Sequence, residues 1–255
     1  MPTVLITGGT SGIGAAFAAA YAARGADLVL VARDENRLVE QAAGLRNRYN
    51  VDVEILPADL AKLPDVERVA ARVEDAAKPI DVVVNNAGFG LHNDMLSADF
   101  SADAQALDVM CLAVRVISAA AGRAMQARGT GHIVNISSLA SWIAQGNYSA
   151  VKAWVRSYTE GLAVHLSDTE IKVTAVCPGW VRTEFHQRAG IRTSKIPGFV
   201  WVSADKMVAK ALRDIDKGKI ISIPAKRWKV AAFLARHAPQ SAVRMVSKML
   251  VRSRA

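Results

Sequence analysis

The stretch "TVLITGGTSGIG", Thr3 to Gly14, decides the fold. Its first five residues form an apolar run bounded by a turn, which reads as a buried strand. The run leads directly into a turn with glycines at positions 8, 9, 12 and 14, and a helical pattern begins at about Ile13. A strand, a glycine-rich turn and a helix start bring backbone N–H groups and the positive end of a helix dipole to one point, where a pyrophosphate binds. The spacing is G-x-x-x-G-x-G rather than the G-x-G-x-x-G of the commoner dinucleotide fingerprint. A glycine cluster alone is equally a tight turn. Its place directly after a buried strand favours a dinucleotide.

The same alternation continues along the chain. Apolar runs at 27–32, 51–56, 80–86, 131–137, 171–177 and 219–223 read as further strands. Helical patterns over about 13–24, 34–48, 62–77, 101–128, 147–167 and 203–216 separate them. Near-continuous apolar strands alternating with helices predict an α/β fold with a parallel sheet covered on both faces. The segment 184–202 breaks the rhythm with Gly190, Pro197 and Gly198 and reads as a substrate lid. A length of 255 residues fits one domain, 1–255.

Composition narrows the function classes. With 51% hydrophobic and 22% charged residues the chain has ample material for a core. Cys111 and Cys177 form no C-x-x-C pair and read as free thiols. The five histidines lack ligand spacing, so no metal site is expected. The start has no signal-peptide pattern, and no apolar run reaches the length of a membrane span. These features predict a cytoplasmic protein. The net charge of +9 is unevenly placed: Lys217 to Ala255 holds ten of the 32 basic residues and no acid. The remaining 22 basic residues face 23 acidic ones, which argues against a nucleic-acid role.

Two local features suggest chemistry. The second strand ends in Arg33 and Asp34, near where such folds meet the adenosine ribose. A guanidinium suits a 2′-phosphate, so NADP(H) is favoured over NAD(H); the bland reading is a solvated Arg33 and an Asp34 that caps the next helix. The stretch "NYSAVKA", 147–153, places Tyr148 and Lys152 four apart, on one face of a helix. At roughly 4–5 Å and an effective dielectric of about 20, the cation would lower the phenol's pKa by about two to three units.

"TGGTSGIG" at 7–14, "NNAG" at 85–88, "NISS" at 135–138, "YSAVK" at 148–152 and "PGWVRT" at 178–183 together resemble the short-chain dehydrogenase/reductase family in order and spacing. The resemblance implies a doubly wound Rossmann domain with a seven-stranded parallel sheet, order 3-2-1-4-5-6-7. It implies a site in which Gly8, Ser11, Gly12, Ile13 and Gly14 hold the pyrophosphate. Asp59 and Leu60 would flank the adenine, and Asn86, Ala87 and Gly88 would line the cleft. Pro178, Gly179, Val181 and Thr183 would contact the nicotinamide. Tyr148 would be the general acid or base, assisted by Lys152, with Ser138 rather than Ser137 on the substrate oxygen. That constellation and the apolar residues of the lid region, Ile191, Ile196, Phe199, Val200 and Trp201, point to a hydrophobic ketone or secondary alcohol as substrate, of steroid, lipid or oxoacyl type, and the resemblance suggests a homodimer or homotetramer.

Two departures from the family pattern stand out. Met110 falls where the family carries an asparagine that holds a water behind the lysine. This motivates the alternative of a catalytically weak dinucleotide-binding sensor or scaffold. Only nine residues separate Ser138 from Tyr148, which alters the pocket wall and leaves Trp142 to fill it. The segment 224–255 is basic, and over 240–252 Val243, Val246, Met249 and Leu250 oppose Arg244, Lys248 and Arg252. Three readings fit it: packing on its own domain or a second subunit, peripheral contact with an anionic membrane, or attraction of an acidic partner.

Overall fold

In the computed structural model of the chain, residues 1–91, 93–185 and 197–252 are described, side chains through 249. The central sheet is built from β1 (Thr3–Thr7), β2 (Asp27–Ala32), β3 (Val53–Pro57), β4 (Val82–Asn85), β5 (Gly131–Ile136), β6 (Ile171–Val176) and β9 (Ile221–Ser222). All pairings are parallel and the order is β3-β2-β1-β4-β5-β6-β9. This is the seven-stranded order expected from the sequence. The last strand is numbered ninth because a two-residue pair, β7 (Val181–Arg182) and β8 (Val202–Ser203), intervenes.

Helices α1 (Gly12–Ala22), α2 (Glu35–Tyr49) and α7 (Ala204–Asp216) contribute to one core, around Phe17, Leu30 and Met207. Helices α3 (Leu63–Glu74), α5 (Ala113–Arg128) and the end of α6 (Asn147–His165) contribute to the other, around Leu5, Ile117 and Ile133. Alternate β1 residues point to opposite cores, Val4 and Ile6 to the first and Leu5 to the second. The run expected as one helix over 101–128 is α4 (Ser101–Leu107), a π turn (Asp108–Leu112) and α5 in succession. By length and composition Ser101–Arg128 could cross a membrane, contrary to the run-length expectation, but more than half of its most apolar window is buried inside the fold.

A buried polar ladder ties the helices to the sheet. Asn85 Nδ2 donates to Ser118 Oγ at 3.0 Å and to Asn135 Oδ1 at 2.9 Å, and Asn135 Nδ2 donates to Thr159 Oγ1 at 3.0 Å. The ladder fixes α5 and α6 against β4 and β5. The chain ends in α8 (Lys226–His237) and α9 (Gln240–Arg252), where the sequence pattern had marked only the second. Asn135→Ala should destabilise the protein by about 1–3 kcal/mol in urea unfolding, because it removes two buried hydrogen bonds and leaves one Asn85 Nδ2 proton without its acceptor, while Ser118 and Val155 still partner Asn85 and Thr159.

Candidate active site

The strand order reverses between β1 and β4, and there a cavity of about 1550 Å³ opens at the carboxyl ends of the strands. Its first wall is the glycine turn. Gly8 has φ +66° and Gly12 φ +54°, backbone conformations that favour glycine. A Cβ on Gly8 would stand 2.9 Å from the Asn86 amide, and one on Gly12 3.3 Å from Thr183 Cβ. Ser11 makes no side-chain cap, so the first N–H groups of α1 have no side-chain partner at Ser11 where Ser11, Gly12 and Ile13 line the cavity. Gly14 does not reach the cavity; it is buried where a Cβ would lie 2.1 Å from the Gly8 carbonyl oxygen. An uncapped helix start beside a glycine-rich turn is the cradle a pyrophosphate needs, and the residues present fit a dinucleotide.

The other expected binding residues line the same cavity: Arg33, Asp59, Leu60, Asn86, Ala87, Gly88, Pro178, Gly179, Val181 and Thr183. Asp34 caps α2, accepting from the Arg37 N–H at 3.1 Å, and its carboxylate lies 3.5 Å from Arg37 Nε. The helix-cap reading of Asp34 therefore describes its geometry, while Arg33 beside it is exposed on the cavity. Arg37 also lines this end. Sequence reasoning missed it; the signal was a second arginine one helical turn after Arg33.

Ser138, Tyr148 and Lys152 line the same cavity. Lys152 is only 5% exposed, and its Nζ donates to the Ile136 carbonyl at 2.9 Å. The same Nζ stands 5.8 Å from the Tyr148 ring centroid, and the Phe185 ring lies 5.8 Å from the Tyr148 ring on another side. Burial pushes the Lys152 ammonium down to about 8, with Cys111 and Cys177 nearby. Those thiols are themselves raised by burial, to about 11 and about 12.

The two serines are distinct. Ser137 is buried and its hydroxyl donates to the Lys152 carbonyl at 2.7 Å. Ser138 Oγ accepts from the Ala140 N–H at 3.1 Å, which leaves its proton for another acceptor in the cavity. Met110 sits in the π turn, fully buried; a Cβ on Gly88 would lie 2.9 Å from its sulfur and 3.7 Å from Lys152 Nζ. Trp142 lines the cavity under the Arg156 guanidinium, 5.2 Å from the ring centroid.

A family model described as short chain dehydrogenase matches residues 2–193. The chain belongs to the short-chain dehydrogenase family. This dehydrogenase is 37% identical to a short-chain dehydrogenase from Sphingobium yanoikuyae solved in complex with NADPH, over 96% of each chain, with a TM-score of 0.85. It is 31% identical to a bulky-bulky ketone specific alcohol dehydrogenase from Comamonas testosteroni, over 96% of this chain and 95% of that one, with a TM-score of 0.80. It is 34% identical to a galactitol 2-dehydrogenase from Cereibacter sphaeroides, over 70% of this chain and 71% of the relative. The dehydrogenase is therefore an oxidoreductase of the kind that binds NAD(P) and acts on alcohols or ketones.

The expected lid falls largely outside the described residues, which omit 186–196 and with them Gly190, Ile191 and Ile196. Its described ends contribute Glu184, Phe185, Pro197 and Val200 to the cavity.

The lysine's burial has a pH signature. Its folded pKa of about 8 lies below the unfolded value near 10.5, so between these pH values the unfolded chain holds more protons. Below about pH 8 the cost of burying the charged amine is fully present, and it falls away as pH rises towards 10.5. Urea titrations should show the native protein gaining stability relative to Lys152→Met across that window, and a flat difference would contradict the burial argument.

Proposed function

We propose that the dehydrogenase uses NADP(H) to interconvert hydrophobic ketones and secondary alcohols. The observation that carries this reading is that Ser138, Tyr148 and Lys152 line one cavity that also has apolar wall residues, including Trp142, Ile143, Phe185, Val200, Trp228 and Val243. When bound, the nicotinamide supplies or accepts the hydride. Tyr148 donates a proton to the carbonyl oxygen in reduction and takes it back in oxidation. Ser138 donates a hydrogen bond to the same oxygen as charge grows there. Lys152, still cationic below about pH 8, favours the phenolate after the proton has left. Gly8, Ser11, Gly12 and Ile13 would hold the pyrophosphate, Asp59 and Leu60 the adenine, and Asn86 to Gly88 with Pro178, Gly179, Val181 and Thr183 the nicotinamide half.

The preference for NADP(H) rests on Arg33, with Arg37 beside it and Asp34 occupied as a cap. Two guanidinium groups suit a 2′-phosphate, whereas an acid taking the ribose hydroxyl would favour NAD(H). The NADPH bound to the Sphingobium relative supports the same choice. A second copy would pack on the exposed Leu107, Leu112, Trp154 and Val164 of the long helices, giving a homodimer or homotetramer.

NADPH oxidation with a panel of bulky ketones should show turnover that Tyr148→Phe lowers by about 10²–10⁴-fold while NADPH binding persists. Turnover indifferent to that change would overturn the role of Tyr148. NADPH binding with no turnover on ketones, aldehydes or oxoacyl thioesters would instead indicate a sensor. Arg33→Ala should weaken NADPH binding by about tenfold or more and leave NADH binding unchanged, as read by fluorescence titration.

A further inference from the structure

We propose that α8 and α9 form a docking surface for an anionic lipid bilayer, with the mouth of the cavity opening onto it. The two helices are anchored to the body of the protein. Arg227 donates to the carbonyls of Phe199 and Trp201, and Trp228 packs so closely on Gly179 that a Cβ there would lie 2.3 Å from the indole. Ser247, on α9, accepts from the Ala144 N–H at 3.0 Å and is buried. Val243 and Val246 of α9 turn in to line the cavity.

The outward side of the pair is apolar and basic. Val230 and Phe233 on α8 and Met245 and Met249 on α9 are all more than half exposed, Phe233 and Met245 at 60%. On α8, Lys229 and Arg236 lie one turn to either side of Phe233; on α9, Arg244 and Lys248 form the stripe beside Met245 and Met249. All four basic residues are exposed, and Lys217 to Ala255 contains no acid. Leu234 and Val246 belong both to the cavity lining and to the exposed surface, so the apolar wall of the cavity runs out onto this patch.

Charge selects the occupant. A second copy across a two-fold axis would bring the patch against itself, cation against cation. An anionic bilayer accepts both components: apolar side chains enter the headgroup–acyl boundary and the flanking cations meet lipid phosphates.

The test is co-sedimentation of the full chain with vesicles of phosphatidylcholine alone and of phosphatidylcholine mixed with phosphatidylglycerol. Binding is expected to the mixed vesicles and to fall with added salt. The triple variant Phe233→Ser, Met245→Ser, Met249→Ser should bind on the order of tenfold less. Lys229→Glu, Arg244→Glu, Lys248→Glu should lose the preference for anionic lipid. Thermal unfolding and NADPH binding of both variants should match the parent, which separates loss of docking from loss of fold. No binding of the parent to anionic vesicles, or equal binding by both variants, would overturn the proposal. So would a vesicle-free oligomer that the apolar variant dissociates, since the patch would then belong to a second copy. Docking is read without turnover, so it stands or falls independently of the substrate assignment.

Discussion

The site depends on one clasp across the point where the strand order reverses. The β1–β4 backbone ladder ends at Ile6 and Val84. Asn86 extends the connection past it, its Nδ2 donating to the carbonyls of Thr7 at 2.9 Å and Gly8 at 3.2 Å. Thr7 Oγ1 answers by accepting from the N–H groups of Asn86 at 2.9 Å and Ala87 at 3.0 Å. The clasp explains why Gly8 must lack a side chain: a Cβ would fall on the amide that secures it. The glycine turn is thus set by a contact 78 residues away as much as by its own backbone.

A second constraint carries the frame from the sheet to Lys152. Thr159 lies seven residues after Lys152 on α6, so both face the sheet. The bond from Asn135 to Thr159 therefore fixes the register of α6, and with it the depth to which Lys152 enters. The Ile136 carbonyl receives the ammonium, and the Lys152 backbone carbonyl receives Ser137. Strand β5 and helix α6 hold one another at both ends of the lysine. Ser137 and Ser138 both line the cavity, but the Ser137 hydroxyl is committed to the Lys152 carbonyl, whereas Ser138 Oγ accepts from the Ala140 N–H.

The parts legible in the sequence were those governed by local repetition. Buried strands are mostly apolar, and the glycine turn is fixed by residue type, so strands and helices fell within a few residues of expectation. Strand alternation alone could not choose between Ser137 and Ser138; the choice of Ser138 came from its place in the motif NISS at 135–138. Arg37 could not be found this way, because its value depends on where the first turn of α2 points. The Asn85–Ser118–Asn135–Thr159 ladder was hidden for a related reason: its members lie on four elements and share no spacing. Helix α8 escaped because its inner stripe, Trp228, Ala231, Ala232 and Ala235, is made mostly of alanine, while the larger Val230 and Phe233 are exposed. For α9 the pattern was visible, but its meaning was not: Val243 and Val246 face the cavity, whereas Met249 faces outward.

Met110 bears on how Lys152 exchanges its proton. A thioether donates no hydrogen bond and accepts weakly, so at this place it adds bulk and dryness rather than a polar partner. It occupies the π turn, a distortion that often accompanies functional sites, and presses on Gly88 beside the lysine. Cys111 and Cys177, with thiols raised to about 11 and about 12, are neutral near pH 7 and supply no counter-charge. Burial therefore dominates, and the ammonium is held near 8 rather than near 10.5. On the proposed mechanism this changes the demand on a relay. An ordinary lysine needs a bound water chain to move a proton it holds tightly. A lysine held near 8 gives up its proton more readily near neutrality than one held near 10.5, so the dry packing around Met110 eases the release step itself.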